Sequence, residues 1–311
     1  MAVDVSVCVL TYNQEKTIGR TLDYILAQKH SCSFEIIIGD DASTDNTRKI
    51  CEEYALRNPG IININDIHPN YGVVRNHEET LSRCTGKYRM GCAGDDWWSN
   101  LNKMQMQYDY MESHPNCVVF YGGYTEHYTA TGAEIIKRPV KIIGDPFEFI
   151  LRTNPVCAPT SCIRMSALRD INVHHFIEQG FMVEDWPKWL ALTKYGTFDA
   201  TDESLVTYSV AYGSLHNNKN FDARKKYLEN YHKMRQYYAK ENGTFEKYID
   251  MIDDIYYLSV ALDAIKYNER KIAIQYFKKL HNRDVKNNIK MAFCYVPFLF
   301  KKMYMKVNSN M

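Results

Sequence analysis

Strand-like and helix-like segments alternate through the first 95 residues, and that order constrains the fold more than any other feature of the chain. VSVCVLT (5–11) is an almost continuous apolar, β-branched run, as expected of a strand covered on both faces. FEIIIG (34–39), IINI (61–64) and the stretch from Tyr88 to Ala93 repeat the pattern. Between them lie segments with helical spacing. Ile18, Leu22, Ile25 and Leu26 form one stripe behind Asn13 as cap. Ile50, Cys51 and Tyr54 follow the cap-rich ASTDNT and stop at Asn58-Pro59-Gly60, and a third helix spans 74–84 before Gly86. This alternation predicts an α/β fold with a mostly parallel sheet flanked by helices, in which ligands bind outside the carboxyl ends of the strands.

Two acidic pairs fall at those ends, Asp40-Asp41 after the second strand and Asp95-Asp96 in GCAGDDWW (91–98) after the fourth. Like charges about 4 Å apart repel by roughly 4 kcal/mol at an effective dielectric near 20, so such a pair marks either an exposed turn or a bound cation. Either pair alone is ordinary turn chemistry. Two pairs at the ends of strands in one parallel sheet would share a crevice.

Beyond residue 101 the pattern loosens. A helix carrying Met104, Tyr108 and Met111 leads to the strand CVVFY, a hairpin at Thr131-Gly132, and a helix opened by Trp186-Pro187. From 219 onward only helical periodicity remains, over 222–241, 246–267 and 269–282. The division expected is therefore 1–218 for the α/β domain and 219–311 for an all-helical C-terminal region.

Formal net charge is +1, which argues against a general nucleic-acid binder. The distribution is uneven: residues 1–218 hold 19 Lys+Arg against 27 Asp+Glu, and 219–311 hold 19 against 10. A basic C-terminal part suggests an anionic partner there. The nine cysteines form no CxxC pair and sit mostly in apolar runs, as buried hydrophobes of a reducing compartment do. The start of the chain shows no signal-peptide pattern, and the longest apolar run, AFCYVPFLF (292–300), is too short to span a bilayer. These features predict a cytoplasmic location.

The order of the motifs resembles a known family. VSVCVLTYNQEKTIGRTLDYILAQ, FEIIIGDDASTDNT, NYGVVRN, GKYRMGCAGDDWW and VEDWPKWLAL are similar to the successive signatures of family 2 nucleotide-sugar glycosyltransferases with the GT-A fold, over about residues 3–215. The resemblance implies a nucleoside-diphosphate sugar donor, a UDP-sugar in the commonest case, and Mn²⁺ or Mg²⁺ to neutralise the departing diphosphate. Both ions prefer oxygen ligands and use one or two carboxylates plus phosphates. By the same resemblance Asp96 coordinates the metal and Asp95 supports it or binds the ribose. Asp41 accepts from the base, Thr11 and Tyr12 line the nucleotide, and Arg75 and Asn76 match the Arg-Asn pair after the Asn70-x-Gly72 loop. That arginine would neutralise phosphate or bridge to Asp41.

In inverting members the Asp of a Glu-Asp motif takes the proton from the acceptor hydroxyl, which assigns Asp185 as general base at a helix N-terminus; the alternative is a plain N-cap. Trp97, Trp98 and Trp186 are either a sugar platform or core. NPVCAPTSC (154–162) lies where the family builds its acceptor wall. One departure is visible: in YSVAYGSLHNN (208–218) Ser209 and Ala211 replace the family's Arg and His. His216 is then either a substitute ligand or a solvated loop residue.

The tail IKMAFCYVPFLFKKMYMKV (289–307) mixes apolar and aromatic residues with Lys290, Lys301, Lys302 and Lys306. It either lies in a membrane interface or packs on its own domain, Pro297 only kinking it. The implied enzyme is an inverting, metal-dependent glycosyltransferase acting on a glycan or lipid-linked glycan. The competing classes are a silent relative that scaffolds a membrane assembly through its tail, and a nucleotidyltransferase, which would ordinarily carry a Gly-rich, basic loop where this chain has TYNQEKT.

Overall fold

The computed structural model describes residues 3–210 and 220–308. The chain divides into two compact units, Met1–Tyr212 and Gly213–Met311.

The first unit begins with the expected alternation: β1 (Val5–Thr11), α1 (Ile18–Leu26), β2 (Phe34–Asp40), α2 (Thr47–Arg57), β3 (Ile62–Ile64), α3 (Val73–Ser82) and β4 (Tyr88–Ala93). It continues through α4 (Lys103–Ser113), β5 (Cys117–Tyr128), β6 (Glu134–Lys137), α5 (Pro146–Arg152), a 3-10 turn (Ala158–Thr160), β7 (Cys162–Arg164), α6 (Met165–Arg169), α7 (His174–Glu178), α8 (Asp185–Leu192) and β8 (Thr197–Val210). Among the described residues the strands form one sheet in the order β3-β2-β1-β4-β7-β5-β6, with β8 on β5. The strands β3, β2, β1 and β4 are parallel, β7 runs against β4 and β5, β5 and β6 make the hairpin, and β8 returns parallel to β5.

Apolar continuity explains the central strands. Val5, Val7, Val9, Ile36 and Ile38 are fully buried, and α1 seals them with Ile18, Leu22 and Ile25. Truncating a side chain such as Leu22 in that layer costs about 2–5 kcal/mol. Two local expectations need correction. Asn13 does not cap α1: it sits at φ 52, and its side-chain oxygen accepts from the Thr44 backbone N–H at 2.8 Å. Thr17 occupies the cap position without a side-chain bond to the helix N–H groups. The Trp186-Pro187 helix starts one residue earlier, with Asp185 as its first residue and Glu184 at the cap position.

The second unit is helical throughout its described residues: α9 (Phe221–Glu241), α10 (Phe245–Lys266), α11 (Arg270–Lys279), α12 (Val285–Tyr295) and α13 (Pro297–Asn308). Its core gathers Val260, Ala261, Ala264, Phe277, Cys294 and Phe300. The Asn220 side chain caps α9, and Asp284 caps α12 by accepting from Asn287 N at 2.6 Å. Pro297 does more than kink the tail: α12 ends at Val296 and Pro297 opens α13, where its missing N–H has no helical partner to lose. Among the described residues no helix is long and apolar enough to cross a membrane.

Candidate active site

Register places the candidate residues side by side. Thr11 is level with Asp40 across β1 and β2, and Leu10 is level with Ala93 across β1 and β4. The chain continues these ladders past the strand ends, with Asp41 N donating to Thr11 O at 3.0 Å and Gly94 N to Leu10 O at 2.9 Å. Asp41, Thr11, Tyr12, Asp95 and Asp96 therefore occupy adjacent strand ends on one edge of the sheet, strands there being about 4.8 Å apart.

The loop bearing Asp95 and Asp96 is held from two sides. From α1, the Thr21 hydroxyl lies 2.6 Å from Asp96 O and 3.1 Å from Gly94 O, and Arg20 Nη2 donates to Asp95 O at 3.1 Å. From β8, Trp97 and Thr207 form an antiparallel bridge, exchanging backbone hydrogen bonds of 3.1 and 2.8 Å. Ser209 completes the attachment: its N–H donates to Asp96 Oδ1 at 2.8 Å and its hydroxyl to Asp95 O at 2.5 Å. Gly94 gives room to its neighbours: a Cβ there would lie 2.6 Å from Thr11 Oγ1 and would displace the Gln14 side-chain amide oxygen.

Burial pushes the Asp96 carboxyl well above the usual carboxylate range, Asp95 pushes it further, and the Ser209 N–H opposes both. Asp95 is also raised by burial, against a hydrogen bond from Gln14 and the charge of Arg20. The Arg20 guanidinium lies 3.6 Å over the Trp97 ring, and its Nε is buried without a hydrogen-bond partner. Among the described residues no ion pair neutralises either acid.

Asp41 is buried, and its carboxylate organises the loop before α3. Oδ1 accepts from Tyr71 N at 2.7 Å and Oδ2 from Gly72 N at 2.9 Å, while Asn70 Nδ2 donates to Asp41 O at 2.8 Å. Asn70 and Gly72, the latter at φ +81, shape this loop as expected. Asp40 turns away: its carboxylate bonds the Ser43 hydroxyl and lies 3.7 Å from Arg48. The two acidic pairs are thus unequal, one member of the first being a fastening of β2.

Asp185 stands half-buried at the start of α8, with Asn154 Nδ2 donating to its Oδ2 at 2.9 Å. Asn154 is itself fixed by Val156 N on its side-chain oxygen, at 3.2 Å. The Cys157 thiol is pushed up by burial and then by Asp96 and Asp185, and the Tyr208 hydroxyl by burial and then by the same two acids among others. Cys157 and Tyr208 therefore lie within electrostatic reach of both carboxylates. Glu184 faces the fully buried Lys188 at 3.9 Å. Burial raises the Glu184 carboxyl and lowers the Lys188 ammonium to about 8.

Other assignments change. Arg75 does not bridge to Asp41; it pairs with Glu79 at 3.3 Å and stacks 3.9 Å over Tyr71. Asn76 is buried and donates to Gly39 O at 2.9 Å, so it braces the end of β2 rather than lining the nucleotide space. Trp97, Trp98 and Trp186 are all buried, with Trp98 and Trp186 donating to the Gly91 and Ile150 carbonyls, which makes them core and no sugar platform. Tyr12 is 47% exposed at the rim. Ala211 and His216 lie outside the described residues. Sequence reasoning missed Thr21, whose one signal was a polar residue inside the apolar stripe of α1; it singled out Ser209 as a departure and included Asn154 in the 154–162 segment, but not their contacts with the acids.

The donor set fits Mn²⁺ or Mg²⁺. Among the described residues no cluster of three or more His, Cys, Asp or Glu could cage an ion. Two adjacent acids, both raised by burial and Asp96 further by Asp95, with no ion pair to either among the described residues, suit an ion that completes its shell with phosphate oxygens and water.

Comparison with known proteins agrees with this geometry. Residues 6–171 match the family model described as glycosyl transferase family 2. An uncharacterized protein of Mycobacterium bovis is 40% identical over 114 residues, 37% of this chain and 33% of that one. The match thus spans about a third of the length of that relative. A Bacillus subtilis protein, provisionally named as the teichuronic acid biosynthesis glycosyltransferase TuaG, is 26% identical over 245 residues, 78% of this chain and 94% of that one. Among solved structures, TarS 1-349 of S. aureus in complex with UDP-GlcNAc has a TM-score of 0.55 at 14% identity, covering 99% of this chain and 93% of that one. The mannosyltransferase PcManGT of Pyrobaculum calidifontis, in complex with GDP-Man and Mn²⁺, has 0.58 at 14%, covering 98% and 88%. The structures share the GT-A fold, and the family match covers more than half of the sequence: this chain belongs to glycosyl transferase family 2.

Proposed function

We propose that the chain is an inverting, metal-dependent glycosyltransferase that moves a hexosyl or N-acetylhexosaminyl group from a UDP-sugar to a glycan or lipid-linked glycan. The observation that carries this reading is the Asp95–Asp96 pair at the strand ends beside Asp41, together with Asp185 oriented by Asn154. Asp41 is assigned to the base, Thr11 and Tyr12 to the nucleotide, and Arg75 to phosphate. Asp96, with Asp95 beside it, would hold Mn²⁺ or Mg²⁺, which neutralises the diphosphate when bound. Support for a nucleotide-sugar donor and for the ion comes from what the two structural neighbours bind, UDP-GlcNAc in TarS and GDP-Man with Mn²⁺ in PcManGT.

Asp185 takes the acceptor hydroxyl proton on the oxygen that Asn154 leaves free. The acceptor oxygen forms its bond to the anomeric carbon as the bond from that carbon to the diphosphate oxygen breaks, and the electron pair leaves with UDP. Attack from the face opposite the leaving group inverts the anomeric configuration. Proton transfer of this kind contributes about 10²–10⁴-fold. Nine unpaired cysteines, eight of them buried, support a cytoplasmic position, and the basic tail supports peripheral contact with the inner face of a membrane. Screening sugar nucleotides for turnover tests the reading: release of UDP that requires Mn²⁺ or Mg²⁺ and is lost in Asp185→Asn supports it. No turnover of any UDP-sugar, or turnover that survives Asp96→Ala, counts against it.

A further inference from the structure

α12 and α13 bury one side in their own unit through Cys294 and Phe300, with Met291 and Met303 packed alongside. The other side is left uncovered: Ile289 is 49% exposed, Phe293 38%, Tyr295 49%, Val296 46%, Phe298 65% and Met305 51%. Four of these fall within the six residues around the break at Pro297, so the apolar surface is concentrated at the joint of the two helices. Residues 285–311 carry five lysines and no Asp or Glu, and Lys286, Lys301, Lys302 and Lys306 are exposed. The Lys302 ammonium lies 4.9 Å from the Phe298 ring, so charge and apolar surface share one edge.

We propose that the face of α12 and α13 is a docking surface for an anionic phospholipid bilayer, the helix pair lying in the interface with its aromatic residues toward the acyl chains and its lysines at the headgroups. The proposal gives the place and chemistry of the membrane contact in the functional reading above and rests on that reading for its purpose alone. Charge decides between occupants. A second copy docked by a two-fold axis would bring its own five lysines against these five, whereas anionic headgroups meet them with opposite charge. Lysine stems also let the ammonium reach the phosphate plane while rings enter below it. Among the described residues no helix spans a bilayer, so the contact is superficial.

The test is flotation of the full chain with vesicles of phosphatidylcholine alone and of phosphatidylcholine with an equal part of phosphatidylglycerol. Binding to the second and not to the first is expected, weakening as salt is raised. Lys301→Glu with Lys302→Glu, both on exposed positions, is expected to weaken binding on the order of tenfold or more. Phe293→Ser with Phe298→Ser is expected to abolish it, with unchanged melting temperature in both variants. No flotation with anionic vesicles, equal flotation with both kinds, or self-association in place of flotation overturns the proposal. UDP titration of the same preparations separates the two readings: flotation without UDP binding leaves the surface standing and removes the enzyme, and UDP binding without flotation does the reverse.

Discussion

Asn154 donates its side-chain amide to Asp185 Oδ2 at 2.9 Å and is held in turn by Val156 N. One carboxylate oxygen is thereby occupied and the other is directed. A base used in this way predicts a drop in kcat of about 10²–10⁴-fold for Asp185→Asn. For Asn154→Ala, a positioning residue, kcat should fall roughly ten- to a hundredfold with little change in the donor KM. An Asn154→Ala enzyme with unchanged kcat and a raised donor KM would show that Asn154 serves the donor pocket instead.

Asp96 is held above the ordinary carboxylate range by burial and by Asp95, so its ionised form destabilises the metal-free protein. A group whose folded pKa is raised contributes stability that is present below its unfolded pKa and is lost as pH rises through the folded one. Asp96→Asn should therefore raise the melting temperature of the metal-free protein at neutral pH, with the gain shrinking toward about pH 4, where an ordinary carboxyl is also protonated. Mn²⁺ should stabilise the wild type and leave the variant unmoved, and turnover should fall by at least 10²-fold. Thermal unfolding with and without Mn²⁺ across this pH range checks all three.

Ser209 binds both acids of the motif, its N–H on Asp96 and its hydroxyl on Asp95 O. Ser209→Ala keeps the first bond and loses the second, for about 1 kcal/mol. The loop should loosen, weakening Mn²⁺ affinity several-fold while the fold survives. Titration of Mn²⁺ in the presence of UDP reads this directly; unchanged affinity would mean that the Trp97–Thr207 bridge and the α1 contacts of Arg20 and Thr21 hold the loop without the Ser209 hydroxyl.

Both oxygens of Asp41 accept backbone N–H groups, from Tyr71 and Gly72. An amide there turns one acceptor into a donor facing a donor, so Asp41→Asn should cost about 1–3 kcal/mol of stability and weaken UDP binding together. Urea unfolding and UDP titration of the same variant test the pairing. A variant of native stability that has lost only its preference for UDP over ADP would assign Asp41 to the base without the structural part.

The central strands and the two acidic strand ends were legible because a strand buried on both faces leaves a continuous apolar run that few other structures need. Asp41 and Asp96 could be placed on one edge from element order alone, whereas Asp185 rested on the resemblance of its Glu-Asp motif. The parts that resisted are those made by residues distant in sequence. Ser209 approaches Asp96 across 113 residues and Asn154 approaches Asp185 across 31, and neither contact has a local signature. Asn76 and the tryptophans were hard to read for the opposite reason: polar and aromatic residues near a motif look like ligand contacts, the tryptophans stayed open between platform and core, and only burial decides. Pro297 was ambiguous because proline both kinks a helix and begins one, and the break at Val296 decides for the second.

The most direct test of the whole account is a crystal grown with UDP and Mn²⁺, measured for the anomalous signal of manganese. The account predicts one strong peak against the Asp96 carboxylate and the diphosphate, uracil on the Asp41 side, and the Asp185 carboxylate facing the open end of the diphosphate. Manganese away from Asp96, or UDP bound where Asp41 and Asp185 do not reach it, would contradict it.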